Sequence, residues 1–286
     1  MENAKVTVYI PTKNRLVLVK KAIDSVMQQT YNNWELIVVN DASTDETKDY
    51  LDKLSTENPK IKAIHHQESL GACVSRNDAI FSATGEFITG LDDDDYFAPN
   101  RLANFIKEWD DNLIGLCTDN ISVIDNVEAE KNIQPETYIK QKDLLYFNFI
   151  NNQIFTKTKS LRDIGGFEPS LKVWQDYECW YRLLSKGKAK KLSEPTYYFD
   201  VSDRVDRISL ARKEKALDSY NIFIKNNRLS KTESEILKIP LLYYGFGKIN
   251  LWFIFKMLFL TGFDHNYFNF LNKEVIKPIL KKATKK

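Results

Sequence analysis

"GEFITGLDDDDYFAPNRL", residues 85–102, ends an apolar strand-like run in four consecutive aspartates, Asp92, Asp93, Asp94 and Asp95. Adjacent carboxylates repel one another, so four at the end of a buried-looking strand demand a positive counterpart. Along an extended backbone Asp92 and Asp94 point one way and Asp93 and Asp95 the other. One pair is then expected to face a ligand edge while the other turns into structure. Hard oxygen donors suit Mg2+ or Mn2+, and Mg2+ is usually held by one or two carboxylates together with substrate phosphates. The plainer alternative is a solvated acidic turn that caps a helix beginning near Pro99.

Three strand-then-helix units precede this run. Residues 6–10 ("VTVYI") form a short apolar strand, and after "PTKNR" the residues Leu16, Val19, Ala22, Ile23 and Val26 recur at helical spacing. Residues 34–39 ("WELIVV") are a second strand, and Ser43 with Glu46 in "NDASTDET" fits a capping box opening the next helix. "KAIHH" reads as a weaker third strand, followed by a helix over about 71–83 that Gly85 closes. Strands alternating with helices of this length imply an α/β fold with a mostly parallel, doubly wound sheet. Ligands of such sheets gather at the carboxyl ends of the strands, where "PTKNR", "NDAST" and "DDDD" all fall.

Those edge segments carry candidate binding groups. The Pro11–Thr12 turn, with Lys13 beyond it, offers backbone groups and a hydroxyl to a flat ring, and Asp41 can accept hydrogen bonds from a base or ribose. Asp45 is expected to favour the positive end of the following helix. Arg76, on the third helix, faces either the same pocket or solvent.

Toward the C-terminus "LIGLCTDNISVI", "NNQIFTKT" and "PTYYFDV" read as strands, "DIGGFEPSL" as a glycine-bearing loop, and about 175–185 as a helix. At that helix start Asp176 lies beside Trp174. A carboxylate among aromatic rings suits sugar recognition and general-base work, although spacing alone fits a helix N-cap better. Trp180, Leu183 and Leu184 belong in the core, and Arg182 is placed to pair with a carboxylate.

The 286 residues carry a formal net charge of only +2, but residues 1–200 sum to −7 and residues 201–286 to +9. An acidic body with a basic tail implies two different partners, and the acidic body argues against nucleic acid. Cys73, Cys117 and Cys179 form no metal-binding spacing, and an odd, scattered set is expected to stay reduced in a cytosolic compartment. The opening "MENAKVTVYIP" lacks the layout of a signal peptide.

Taken in order, "VYIPTKNR", "WELIVVNDASTDET", "LGACVSRNDAI", "GEFITGLDDDDYFAPNRL", "IGGFEPSL" and "WQDYECWYRL" resemble the family 2 glycosyltransferases of GT-A fold over about residues 5–200. The resemblance implies a Rossmann-like, mostly parallel central sheet flanked by helices. It implies that Pro11, Thr12, Lys13 and Asp41 hold the nucleobase and ribose, with Arg76 assisting. Asp92 and Asp94 match the outer acids of the family's D-x-D motif. Asp94 would bind Mn2+ or Mg2+ directly, with Asp92 and Asp93 on ribose or metal-bound water. Asp176 matches the second position of the family's Glu-Asp pair, the general base, which reverses the N-cap reading; Gln175 departs from the first position. The Q-x-x-R-W motif of processive synthases is absent, so a single inverting transfer from a UDP-sugar (UDP-galactose, UDP-glucose or a UDP-N-acetylhexosamine) is expected, giving a β-glycoside of the O-antigen, lipopolysaccharide or capsule type. A sugar-1-phosphate nucleotidyltransferase would need a glycine-rich basic loop after the first strand, which "PTKNR" lacks. An inactive nucleotide-sugar-binding or membrane-scaffold protein would have lost the acids.

The expected division is a catalytic domain over 1–203, with a nucleotide-sugar half (1–98) and an acceptor half (99–203), and a helical, basic and aromatic extension over 204–286. Residues 249–263 ("INLWFIFKMLFLTGF") are shorter than the roughly 20 apolar residues that span a bilayer. Followed by "NKEVIKPILKKATKK", they suit peripheral contact with the inner face of the cytoplasmic membrane. Packing on the catalytic body is the alternative. Membrane contact would bring the enzyme to a polyprenyl-diphosphate-linked saccharide acceptor.

Overall fold

The computed structural model describes residues 3–125, 127–130, 133, 135–202, 213–244, 246 and 259. The chain divides into two compact units, residues 1–144 with 148–207, and residues 145–147 with 208–286.

The first unit opens β1 (Val6–Thr12), α1 (Leu16–Met27), β2 (Trp34–Asn40), α2 (Thr47–Glu57), β3 (Ile61–His65), α3 (Ala72–Ser82) and β4 (Phe87–Gly90). It continues with β5 (Tyr96–Phe97), α4 (Arg101–Glu108), β6 (Gly115–Ile124), β7 (Val127–Glu128) and β8 (Thr137–Ile139). β9 (Thr156–Lys157), α5 (Thr158–Asp163), α6 (Gln175–Leu183) and β10 (Ala189–Asp200) complete it. One sheet runs β3-β2-β1-β4-β9, parallel from β3 to β4 and antiparallel only at β9. A second runs β5-β10-β6-β7, with β8 also on β10, and an antiparallel bridge between Leu116 and Phe155 joins the two.

β1 is the centre of the first sheet, so Val6, Val8 and Ile10 are fully buried and Thr7 and Tyr9 are buried on the other face. The stripe predicted on α1 packs here: Val19, Ala22, Ile23 and Val26 are all fully buried. Val6, Val8, Ile10, Leu36, Phe87, Phe105 and Phe155 share one core, in which Phe87 and Phe155 stack at 5.0 Å. Two parallel strands end together at Thr12 and Asn40, which are paired in register, and β4 ends beside them. That shared edge presents the loops after β1, β2 and β4.

Several local expectations are corrected. Ser43 and Glu46 make no capping box: the Ser43 hydroxyl accepts from Asn14 N at 2.8 Å, and α2 starts later, where Asp45 Oδ1 accepts from Thr47 N at 3.1 Å. Gly85 does not close α3 in a left-handed conformation; the helix ends at extended Ala83. Gly85 is there because a Cβ would lie 2.6 Å from Thr7 N on β1. "NNQIFTKT" forms only the two-residue β9, and the last strand begins at Ala189 because Ala189–Leu192 pair with Gly115–Thr118. All three cysteines are free and buried.

In the second unit α7 (Lys213–Asn227) and α8 (Lys231–Ile236) are helical as expected. Ser230 and Glu233 form a complete capping box at α8. No helix among the described residues is long and apolar enough to cross a membrane. The apolar segment 249–263 and the lysines after it lie outside the described residues, apart from Phe259.

Candidate active site

The aspartate run is a turn rather than an extended strand, closed by Asp95 N donating to Asp92 O at 3.1 Å. Burial still alternates as predicted: Asp93 and Asp95 are buried, Asp92 and Asp94 half-buried. None of the four acids caps α4, whose N-cap is Asn100, itself without a side-chain capping bond.

Much of the positive counterpart comes from the chain itself. Arg15 Nη1 donates to Asp93 Oδ1 at 2.8 Å and lies 3.6 Å from Asp94 Oδ2. Thr12 Oγ1 donates to Asp93 Oδ2 at 2.8 Å. Arg76 Nη2 donates to Asp92 Oδ1 at 3.0 Å, joined by Gln153 Nε2 at 3.2 Å. Asp95 turns away to Tyr197, whose hydroxyl donates to Oδ2 at 2.7 Å, while Asp200 N donates to Oδ1 at 3.0 Å. Burial, reinforced by the Asp94 and Asp92 charges, pushes the Asp95 carboxyl well above the usual range. Burial also raises Asp93, against the opposing effect of Arg15 and Thr12.

Gly90, the last residue of β4, makes the Gln153 contact possible. A Cβ there would lie 2.1 Å from Gln153 Oε1 and 2.5 Å from the Tyr9 ring. In that space Tyr9 OH donates to Gln153 Oε1 at 3.1 Å, which aims the Gln153 amide at Asp92.

Three successive residues of α3 reach three different elements, as rotation by about 100° per residue requires. Arg76 bridges Asp92 and Gln175, donating to Gln175 Oε1 at 2.8 Å, so it faces the cleft rather than solvent. Asn77 clamps Phe167 through a reciprocal pair at 2.7 and 2.8 Å. Asp78 lies 2.8 Å from His66.

Asp176 is the second residue of α6, not its N-cap; that position is Trp174, whose side chain makes no capping hydrogen bond. Trp174 holds a left-handed backbone (φ 62°, ψ 22°), an uncommon conformation for a bulky residue, just before Gln175 and Asp176. Asn148 Nδ2 donates to Asp176 Oδ2 at 2.8 Å and also to Asn151 O at 3.1 Å. Burial pushes the Asp176 carboxyl up to about 6, although a hydrogen bond from Tyr177 N and the Arg76 charge oppose it. Beneath it Trp180, Leu183 and Leu184 are buried, and Arg182 pairs with Glu178 at 2.8 Å as expected. Arg76, hydrogen-bonded to both Asp92 and Gln175, thus ties the aspartate run to the residue before Asp176.

Of the other expected residues, Thr12 is buried and joined to Asp93, Pro11 is half-buried, and Lys13 is exposed. Asp41 is buried at the end of β2, its N donating to Thr12 O at 2.9 Å, with its carboxylate bonded to the loop before α3. Sequence reasoning gave no role to Arg15, His66, Asn148, Gln153 or Tyr197. Only the amide-rich "NNQ", unusual in a strand, carried a local signal for one of them.

The Glycosyl transferase family 2 model matches residues 7–167, spanning β1 to the loop before α6. WcaA of Escherichia coli (strain K12), a glycosyl transferase named for colanic acid biosynthesis, is 32% identical over 234 residues, 79% of this chain and 82% of WcaA. The Campylobacter jejuni GalNAc(5)-diNAcBac-PP-undecaprenol beta-1,3-glucosyltransferase is 32% identical over 247 residues, 82% of this chain and 76% of that enzyme. Among solved structures, S. aureus TarS 1–349 in complex with UDP-GlcNAc superposes with a TM-score of 0.66 at 22% identity, covering 90% of this chain and 79% of that one. The fold is the GT-A arrangement that the resemblance implied, and with acidic and amide groups gathered at its carboxyl edge the chain belongs to glycosyl transferase family 2.

Proposed function

We propose that the chain is a metal-dependent inverting glycosyltransferase. It moves one sugar from a UDP-sugar to a hydroxyl of a saccharide carried on a polyprenyl diphosphate, forming a β-glycosidic bond in surface-polysaccharide synthesis. The observation that carries this reading is Asp176, raised to about 6 and linked through Gln175 and Arg76 to Asp92. A carboxylate with that affinity for protons is ionised at neutral pH yet basic enough to take one.

Pro11, Thr12, Lys13, Arg76 and Asp93, with Asp41 behind them, would border the nucleotide. Asp94 and Asp92 would hold Mn2+ or Mg2+. Their fit rests on donor chemistry: both carboxylates are half-buried at the loop edge, and no group of three or more acids, histidines or cysteines converges among the described residues. Two hard oxygen donors completed by phosphates is how Mg2+ is commonly bound. When present, the ion neutralises charge on the leaving diphosphate.

The acceptor hydroxyl attacks the anomeric carbon from the face opposite the diphosphate. Its oxygen forms the new glycosidic bond as the bond from carbon to phosphate oxygen breaks, and its proton passes to an Asp176 oxygen. Arg76 holds Asp92 in place while Asn148 orients Asp176. The Campylobacter relative, named for an undecaprenol-diphosphate acceptor, supports the lipid-linked reading, and the TarS complex supports a UDP-sugar. The basic tail supports work at the inner membrane face.

The test is transfer from UDP-glucose, UDP-galactose or UDP-GlcNAc to synthetic polyprenyl-diphosphate-linked acceptors, with Mn2+ and with EDTA. A β-linked product by NMR, lost with EDTA, is expected. An α-linked product, or turnover indifferent to EDTA, overturns the mechanism.

A further inference from the structure

Arg15 and Arg76 meet Asp93, Asp94 and Asp92, but the fourth acid, Asp95, is met by a tyrosine from the other sheet. The Tyr197 hydroxyl donates to Asp95 Oδ2 at 2.7 Å and accepts from Asp92 N at 3.3 Å. One phenol oxygen therefore spans the two residues whose backbone bond closes the turn, Asp92 and Asp95. Tyr197 and Asp95 are each 1% exposed, so water does not compete for the bond between them.

Tyr197 reaches the turn because of its place on β10. Between Leu192 and Tyr197 the register of β10 on β6 shifts, after which Tyr197 lies opposite Asn120 of β6 and Phe97 of β5. Alternation along the strand sends Tyr198 the other way, onto the Tyr96 ring at 4.5 Å. The hydroxyl thus ties the second sheet to the loop that follows β4 of the first.

Arg101, the first residue of α4, holds the ring. It is 1% exposed, with its guanidinium carbon 5.2 Å from the centre of the Tyr197 ring, 4.7 Å from Phe97 and 4.6 Å from Phe105. Nη1 donates to Thr118 Oγ1 at 3.1 Å and to Thr196 Oγ1 at 3.0 Å. Among the described residues no carboxylate pairs with Arg101, and its Nε has no partner. Burial pushes its pKa down to about 10, which leaves it charged at neutral pH. A buried charge without a counter-ion is costly, and apolar side chains often fill such places without loss. What the charge adds here is attraction to the ring faces. A cation over the Tyr197 ring also draws electron density from the phenol, which makes its hydroxyl a stronger donor to Asp95.

We propose that Tyr197 is a positioning residue for the metal site: with its ring held by Arg101, its hydroxyl locks the turn 92–95 that presents Asp92 and Asp94. The inference rests on the metal-dependent reading above and refines it, since the second sheet then sets the geometry of the two donor carboxylates. Without the hydroxyl, the Asp92 amide and one Asp95 oxygen lose their partner, and only the backbone bond closes the turn.

The experiment is calorimetric titration of UDP into the wild type, Tyr197→Phe and Arg101→Met, each with Mn2+ and with EDTA. Thermal melts establish that each variant is folded. Phenylalanine keeps the ring and removes only the hydroxyl. The ratio of UDP affinity in Mn2+ to that in EDTA should fall roughly tenfold in Tyr197→Phe, the scale of a lost hydrogen bond to a charged group. The affinity in EDTA should hold. A purely structural role would lower both affinities together, and that result overturns the inference. Arg101→Met should lose part of the same ratio, and combining it with Tyr197→Phe should cost nothing further; additive losses overturn the link between the two residues. Should Tyr197→Phe fail to fold, an unchanged ratio in Asp95→Asn overturns the inference instead. A wild type that binds UDP equally with Mn2+ and with EDTA removes the metal reading and this inference with it. A metal-dependent wild type whose ratio survives Tyr197→Phe removes the inference alone.

Discussion

Asp176→Asn should make the protein more stable while making it inactive. Burial raises the Asp176 carboxyl from 3.8 to about 6, so the folded state holds the proton more tightly than the unfolded chain. Below pH 3.8 both states are protonated and the residue contributes nothing to the pH dependence. Between 3.8 and about 6 the folded state binds more protons, and stability falls with rising pH. Above that range the penalty is constant. Roughly two pKa units at 1.36 kcal/mol each give at most about 3 kcal/mol, an upper bound because the carboxyl is partly open to water.

Asparagine keeps an oxygen for Asn148 but adds an amide that needs a partner, costing about 1 kcal/mol. The net gain at pH 8 is then about 1–2 kcal/mol, or roughly 2–8 °C in Tm for a domain of this size. Melting both proteins from pH 4 to pH 9 at constant ionic strength should show the Tm difference grow to a plateau above about pH 6.5. Turnover of the variant should fall at least ~100-fold, the scale of losing a general base. A Tm loss of equal size at every pH would mean that Asp176 serves α6 structurally, and near-normal turnover would refute the base assignment.

Asp94→Asn should abolish metal-dependent UDP binding in calorimetry; equal binding with Mn2+ and with EDTA would remove Asp94 from the metal site. Asn148→Ala removes a donor to the ionised Asp176, so the acid limb of kcat/KM should move above about pH 6 while UDP affinity holds. An unmoved limb would limit Asn148 to packing. Gly90→Ala would bring a methyl against Gln153 and the Tyr9 ring, and overpacking of this kind costs about 1–3 kcal/mol. Chemical denaturation checks it, and an unchanged midpoint would show that Gln153 swings aside freely.

What the amino-acid sequence determined by itself is local and periodic. The apolar strands at 6–10 and 34–39, the α1 stripe, and the acids and turns at strand ends follow from residue type and short-range spacing. Such signals place "PTKNR", "NDAST" and "DDDD" on one edge once the strands are parallel. The partners of those groups are another matter. Arg76 meets Gln175 across 99 residues, Tyr197 meets Asp95 across 102, and Gln153 meets Asp92 across 61. The same competition undid the expected capping box, because Ser43 found Asn14 N before it could serve α2.

Asp41 shows the division most plainly. Its place at the end of β2 was legible in the sequence, but what occupies its oxygens was not: Ser69, Leu70 and Gly71 arrive from a loop 28 to 30 residues away. A buried carboxylate takes whichever donors the packed chain brings within about 3 Å, and only tertiary structure decides which those are.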